Sequence, residues 1–403
     1  MTVGELAATK VATARGRRTA VLVFAAFAFL GFCWWLWPAG YVQSDLRVYV
    51  VSARAFLHGQ DIYTAHLAFP KELALGFTYP PFAALVFAPI AALGTGTGRV
   101  VMTLINASCL LAIGVLMTRA LRPAWSRERV LALGFGVGAL GLTLEPVRST
   151  FALGQVNLIL LVLLLADLLG RTPQRFRGVL IGVATGIKLT PGIFILYLLV
   201  TRRFREAAVA IGSTVGTIVI GAIVMPDATR QFWTHYIFDP SRPGPTHFIS
   251  NQAWRGVFAR MAGGVEGIGP IWLLAVALTV AVGCHAVRRL DRLDGILVTA
   301  LVGLLVSPIS WSGHWVWALP ICAVLWFRRR SALAMLWTVV TVFGFPWLAP
   351  NHDDREYHLH GFDLILGNAY AVLAAITILH AAYVQSDSWS SSSSTRSVLP
   401  ECR

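Results

Sequence analysis

The chain is 403 residues long, 56% hydrophobic and only 13% charged, with a mean hydropathy of +0.68. A soluble protein of this length needs about twice that charge to cover its surface, so a water-soluble globular fold is excluded. The net charge of +14 does not point to nucleic acid, because the basic residues form short clusters between apolar runs rather than one continuous patch.

Met1 to Arg18 is polar and basic and reads as a cytoplasmic N-terminal segment. The apolar run 19–41 ends in Trp34-Trp35-Leu36-Trp37, which fits a retained first span with an interfacial aromatic belt better than a cleaved signal peptide. Further apolar segments follow at 80–95, 100–120, 130–146, 156–170, 178–200, 206–225, 268–287, 295–311, 314–327, 332–349 and 363–384. Runs near 20 residues are what an α-helix needs to cross a bilayer. The expected architecture is an all-α polytopic membrane protein with about 10–12 transmembrane helices in one domain, 19–385. Three polar stretches, 43–79, 226–267 and 350–362, are expected as outer loops, and the serine-rich stretch 386–403 as a disordered cytoplasmic tail.

Basic clusters at Arg15/Arg17/Arg18, Arg127/Arg129, Arg175/Arg177, Arg202/Arg203/Arg205, Arg288/Arg289 and Arg328/Arg329/Arg330 mark the inside. If every apolar segment crossed fully, Arg127/Arg129 and Arg175/Arg177 would fall outside. The conflict disappears if 80–95 and 178–200 are broken or re-entrant. Pro80, Pro81 and Pro89 in the first, and Gly186, Pro191 and Gly192 in the second, make that the expectation. The five cysteines show no C-x-x-C spacing, so neither a disulfide framework nor a zinc site is indicated.

This orientation gathers Asp45, Tyr79, Glu145, Arg148, Gln155, Asn157, Asn251, Gln252 and His314 at or near the outer face. Polar groups at such depth are costly unless they line a water-filled cavity, so one shared site is expected. Asp45, in Gln43-Ser-Asp-Leu-Arg-Val-Tyr49, is placed to act as a general base on a hydroxyl at the membrane surface. An ion pair with Arg47 or a helix cap are its structural alternatives. The aromatics of Phe77-Thr-Tyr-Pro-Pro-Phe82 suit either a sugar ring or interfacial anchoring. The string Glu145-Pro-Val-Arg-Ser-Thr-Phe-Ala-Leu-Gly-Gln-Val-Asn157 holds an acid, a base and two amides for binding hydroxyls, or for satisfying its own backbone. Lys188 is one of only three lysines and sits mid-segment beside Thr190-Pro191, where a buried cation needs an anion, either a lipid phosphate or a carboxylate. Ser250-Asn-Gln-Ala-Trp-Arg255 and Ser307-Pro-Ile-Ser-Trp-Ser-Gly-His-Trp315 complete the set. Asp353 and Asp354 are adjacent and need not converge, so no metal site is expected.

Together these strings resemble the polyprenyl-phosphate-mannose-dependent α-(1→2)-mannosyltransferases of actinobacteria, glycosyltransferase family 87, which have a GT-C membrane fold. The residues that carry the likeness are Asp45-x-x-Val-Tyr49, Phe77-Thr-Tyr-Pro-Pro-Phe82, Glu145-Pro-x-Arg-Ser-Thr-Phe151, Gly154-Gln-Val-Asn157, Gly186-Ile-Lys-Leu-Thr-Pro191, Asn251-Gln-x-Trp-Arg-Gly256 and Ser307-Pro-Ile-Ser-Trp311. They run in order over residues 45 to 315. The resemblance implies mannose transfer from polyprenyl-phosphate-mannose to a phosphatidylinositol mannoside or lipomannan acceptor, with inversion, on the extracytoplasmic face of the plasma membrane. It implies Asp45 as the essential aspartate and no cofactor. Arg47, Tyr79, Glu145, Arg148, Gln155, Asn157, Asn251 and Gln252 would bind substrate, with Lys188, Arg148 or Arg255 facing the leaving phosphate. Where the family pattern has His-His-Trp, this chain reads Gly313-His314-Trp315, which leaves His314 as the catalytic candidate beside Asp45. A transporter or flippase of the envelope pathway is the alternative, but no convincing internal repeat supports it.

Overall fold

The structure, a computed structural model, describes residues 43–65, 67–68, 74–239 and 242–393. The basic segment 1–18, the expected first span 19–41 and the tail beyond Ser393 lie outside the described residues. The described chain begins on α1 (Ser44–Leu57), forms a two-residue antiparallel pair (Leu67–Ala68 with Ala74–Leu75), and enters α2 (Pro81–Ala92), started by a proline at its first position. The long α3 (Gly94–Leu121) follows, then α4 (Arg127–Gly141), capped by the Ser126 hydroxyl, and α5 (Glu145–Leu153), bent 76° from α4. Next come α6 (Asn157–Leu168), α7 (Val179–Ile187), α8 (Ile193–Val200) and α9 (Phe204–Val224). Two short helices, α10 (Pro226–Thr234) and α11 (Trp254–Ala262), precede α12 (Gly269–Val287) and α13 (Arg292–Val306). A 3-10 turn at Ser312–Trp317 leads into α14 (Ala318–Phe327), then α15 (Ser331–Phe343), α16 (Gly361–Gly367) and α17 (Ala369–Ser393).

The expected crossings differ in kind. Among the described residues, α3, α9 and α12 are each long and apolar enough to span alone, and the bent pairs α4–α5 and α16–α17 pass together. The other apolar helices are shorter, and the breaks at Lys188 and His314 aim polar side chains inward, which bilayer depth permits only inside protein or along a cavity. Exposed Ile211, Val215, Val219 and Ile223 on α9, and Ile271, Leu274 and Leu278 on α12, give those helices lipid-facing sides. The integral membrane character follows from these faces and lengths.

Segment 178–200 turns back on itself. Gly178, Gly182 and Gly186 line one side of α7, and β-carbons there would lie 2.3, 2.4 and 2.3 Å from Glu206 O, Ser213 Cβ and Thr217 Oγ1 of α9. The numbers rise together, so α7 and α9 run parallel, and α8 must return between them. Arg205 Nη1 donates to Gln174 O at 3.0 Å, joining the two ends of the excursion. The Asp167 carboxylate accepts from the backbone N–H of Gly178, Leu180 and Ile181, which anchors the start of α7 electrostatically. Segment 80–95 is also not a span of its own: the 12-residue α2 lies along α1, with Phe87 stacked on Tyr49 and Ala91 O bonded by Arg54.

The described basic loops therefore share one face. Arg122 lies 5.0 Å over the Phe327 ring, Arg328 pairs with Asp291 and Asp294, and Arg177 and Arg292 meet at Gly170. Helix α17 is described as far as Ser393, within the serine-rich stretch.

Gly182→Ala is expected to cost several kcal/mol, because its β-carbon would also lie 2.6 Å from the Ala210 carbonyl oxygen and the backbones must separate. Gly136→Ala, with nothing within 4 Å, is expected to be neutral or stabilising. Thermal melting in detergent compares the two.

Candidate active site

The site begins with a close approach. Gly154 ends α5 at φ 67, where a β-carbon would stand 2.7 Å from Leu46 Cβ, so only glycine lets α1 sit against this turn. Gln43 reinforces the contact by donating to Thr103 Oγ1 at 3.2 Å and Phe151 O at 3.4 Å. Asp45, in the first turn of α1, is thereby set against the residue after Gly154. Gln155 Nε2 donates to Asp45 Oδ2, and Ser44 Oγ donates to Oδ1 at 3.2 Å. Asn106, midway along α3, holds Gln155 in turn by donating to its backbone carbonyl at 3.0 Å.

From Asp45 a line of side chains crosses the site. Gln155 Oε1 accepts from Asn157 Nδ2, which also donates to Gly313 O at 2.8 Å. Asn157 Oδ1 accepts from Lys188 Nζ at 3.1 Å, and Lys188 Nζ donates to His314 Nε2 at 2.8 Å. An ammonium has only donors, so His314 Nε2 is the acceptor and its ring proton sits on Nδ1. That Nδ1 is buried and without a partner among the described residues. The Tyr79 ring lies 5.4 Å from the ammonium, with its hydroxyl 2.9 Å from that of Tyr49. Lys188 is reached because α7 stops at the Lys188 break, where the backbone turns extended. Its ammonium has no carboxylate in ion-pair distance among the described residues, and its charge acts on Asp45 through space. Burial pushes the Asp45 carboxyl up from the usual carboxylate range, and the Gln155 hydrogen bond and Lys188 charge offset this only in part.

Two clefts flank the Lys188 break. One of about 500 Å³, open at its mouth, has Asn157 and His314 at a polar end and Leu160, Leu164, Phe194 and Leu304 along its walls. The other, of about 260 Å³, is lined by Pro81, Gly186, Leu189, Thr217 and Trp233. Among the described residues, no group of three His, Cys, Asp or Glu side chains is arranged to hold a metal. The concentrated positive charge of the site is Lys188.

Of the residues singled out from sequence, Asp45, Tyr79, Gln155, Asn157, Lys188 and His314 come together, and Arg47 shares the first turns of α1. The others are engaged elsewhere. Glu145 accepts from Trp347 Nε1 at 3.0 Å and Tyr370 OH at 2.7 Å, and Arg148 donates to the Thr143 and Val342 carbonyls, tying α5 to α15. Asn251 Oδ1 accepts from Ser310 N, while Gln252 bridges Ile249 O and Gly367 O. Asn251 therefore holds the segment leading into the His314 turn, and Gln252, whose backbone N–H donates to Ser310 O, directs its side chain to the start of α17. Arg255 packs over Trp272 at 5.7 Å. Phe77 is fully buried and packs on Tyr79, the ring of this stretch that lies by Lys188, so these two aromatics sit inside the protein rather than in an interfacial belt.

Sequence reasoning missed Asn106 and Arg260. Arg260 is buried and donates to Asn368 Oδ1 and to the carbonyls of His247, Phe248 and Asn251, clamping the 246–252 loop. Both carried the signal of a polar group among apolar neighbours. Gly313, at the position of the family histidine, contributes its carbonyl to Asn157 and Thr150.

The profile of glycosyltransferase family 87 matches residues 77–308. The chain belongs to glycosyltransferase family 87. The transferase is 35% identical over 349 residues to the polyprenol-phosphate-mannose-dependent alpha-(1-2)-phosphatidylinositol pentamannoside mannosyltransferase of Mycobacterium tuberculosis, covering 83% of this chain and 80% of that one. It is 34% identical over 376 residues to a polyprenol-phosphate-mannose-dependent alpha-(1-2)-phosphatidylinositol mannoside mannosyltransferase of Mycolicibacterium smegmatis, covering 85% and 84%. Among solved structures, ArnT from Cupriavidus metallidurans bound to undecaprenyl phosphate is similar with 18% identity and a TM-score of 0.40, covering 93% of this chain and 81% of that one. A likeness that distant decides nothing about this site. Tyr79, Gln155, Asn157 and Lys188 fall inside the matched family range, and Asp45 and His314 lie just outside it.

In the transferase, Gly313→Ala is expected to keep wild-type folding and activity. The added β-carbon would lie 3.4–3.5 Å from Asn157 Nδ2, Ser149 Oγ and Thr150 Oγ1, ordinary contact, and would leave the carbonyl in place. Melting temperature and transfer rate check it.

Proposed function

We propose that this chain transfers mannose from a polyprenyl-phosphate-mannose to a hydroxyl of a phosphatidylinositol mannoside, forming an α-(1→2) linkage with inversion at the outer face of the plasma membrane. The observation that carries this reading is the unbroken line Asp45–Gln155–Asn157–Lys188–His314, with a carboxylate at one end and an ammonium near the other. A single inverting displacement needs that pair: a base for the acceptor hydroxyl and a cation for the departing phosphate. Asp45 takes the proton. Lys188 receives the charge that grows on the phosphate oxygen, held in place by Asn157 and His314. The His314 Nδ1–H is the spare donor for a substrate oxygen. The apolar cleft behind His314 suits the isoprenoid stem of the donor, and the names of the similar mannosyltransferases support both lipid substrates. The basic loops on one face and the site on the other support the outward orientation.

The test is purified protein with polyprenyl-phosphate-mannose and a phosphatidylinositol mannoside. A product cleaved by an α-(1→2)-specific mannosidase is the expected result. Transfer from a nucleotide-mannose but not from the lipid donor would overturn the reading.

A further inference from the structure

The basic face holds a cluster that sugar transfer does not use. A β-carbon built on Gly170 would lie 3.3 Å from Arg177 Nη2 and 3.5 Å from Arg292 Nη2, so two guanidiniums converge there from the loop after α6 and the start of α13. Arg203, from the turn between α8 and α9, stands beside them: its backbone N–H donates to Leu198 O, next to Tyr197, whose hydroxyl donates to Arg292 O, and both Arg203 and Glu206 act on the Arg292 charge. Glu206 pairs with Arg203 through Nη2 and leaves Arg203 Nη1 buried without a partner among the described residues. The Thr172 hydroxyl is likewise buried and unpartnered, and its carbonyl accepts from Arg177 Nε at 3.3 Å. Arginines that merely obey the positive-inside rule spread into water. Converging ones with one carboxylate among three repel each other unless a further anion joins them.

Tyr197 connects this cluster to a groove. Its hydroxyl donates to Arg292 O at 3.3 Å, and its ring lines a shallow, open apolar cleft between α8, α12 and α13, with Ile193, Val200, Val280, Cys284 and Val302. The cleft reaches Val287, immediately before Arg288 and Arg289, so its end lies at the same basic face.

We infer that this is a binding site for an anionic phospholipid of the leaflet at the basic face, its phosphate among Arg177, Arg203 and Arg292 and one acyl chain in the cleft beside Tyr197. A charged head site continuous with an apolar slot fits an amphiphile and has no use for a free ion. No residue of this site bonds to the Asp45–Lys188 line, so the inference stands apart from the transfer reaction.

Native mass spectrometry of the full chain, titrated with phosphatidylglycerol or phosphatidylcholine, tests it. Wild type is expected to retain one phosphatidylglycerol under conditions that strip phosphatidylcholine. Arg177→Gln with Arg292→Gln should weaken phosphatidylglycerol by about thirtyfold, the factor for two basic residues leaving an anionic contact. Cys284→Trp, which fills the cleft, should weaken it with every arginine in place, and it reads the chain-binding part alone if the double variant does not fold. Arg127→Gln with Arg129→Gln removes the same charge from the same face and should bind as wild type. Equal loss in that control overturns the site in favour of general surface attraction. Displacement of phosphatidylglycerol by millimolar inorganic phosphate, with Cys284→Trp silent, overturns the lipid assignment.

Discussion

Asp45→Asn is expected to lower mannosyl transfer by at least about a hundredfold, the usual contribution of a positioned general base. The variant separates chemistry from folding because asparagine is nearly isosteric and its carbonyl still accepts from Gln155 Nε2. The linkage sign favours it as well. Burial raises the folded-state pKa of Asp45 above its unfolded value, so its stabilising contribution is present below the unfolded value and is lost as pH rises through the folded one. At neutral pH the ionised carboxylate therefore costs stability, and Asp45→Asn should melt at or above wild type. The same upward shift places the acid limb of the wild-type pH–rate profile above the ordinary carboxylate range, with rate rising as pH rises. Transfer assays and melting curves across pH measure both, and a variant with wild-type turnover removes Asp45 as the base.

The second large effect is expected at Lys188. Lys188→Met keeps the length of the side chain and removes its charge, and kcat/KM for the lipid donor should fall by about 10²- to 10³-fold, the scale of losing one aimed donor to developing negative charge. Part of the loss is structural, since Asn157 Oδ1 and His314 Nε2 each lose a donor, at about 1–3 kcal/mol for a buried group left unpaired. Lys188→Arg tells the two apart. It offers charged donors to Asn157 Oδ1 and His314 Nε2 again but on a planar fork rather than a point ammonium under the Tyr79 ring, so stability should recover in part while activity stays low. Unchanged donor kinetics in Lys188→Met would end the phosphate role.

Much of the membrane architecture was legible because bilayer depth punishes polar backbone and charge so heavily that hydropathy and arginine placement report it directly. The breaks at Pro80-Pro81 and around Pro191 were legible for the same reason. Six site residues were visible, five as polar groups at or near apolar segment ends and Lys188 as a cation inside one. Glu145, Arg148, Asn251, Gln252 and Arg255 carried the same signal but turned out to satisfy backbone and side-chain partners, and one sequence cannot distinguish a polar group that serves a substrate from one that serves a turn. The glycine register of α7 on α9 was equally hidden, because parallel packing is a property of the partner helix as much as of the glycines.

The line across the site joins residues far apart in the chain. Asp45 and Gln155 are separated by 110 positions, and Lys188 and His314 by 126. During synthesis the base, the amides and the cation are all threaded into the bilayer long before the histidine that steadies the ammonium leaves the ribosome. Until then Lys188 has Asn157 Oδ1 but not His314 Nε2 to accept from it, and a charge so sparsely solvated at membrane depth is costly. The emerging half-protein is therefore expected to hold a waiting state in which the 178–200 excursion has not yet seated. Completion of the Ser312–Trp317 turn would then act as the last latch of assembly, so that truncated or stalled chains stay catalytically silent.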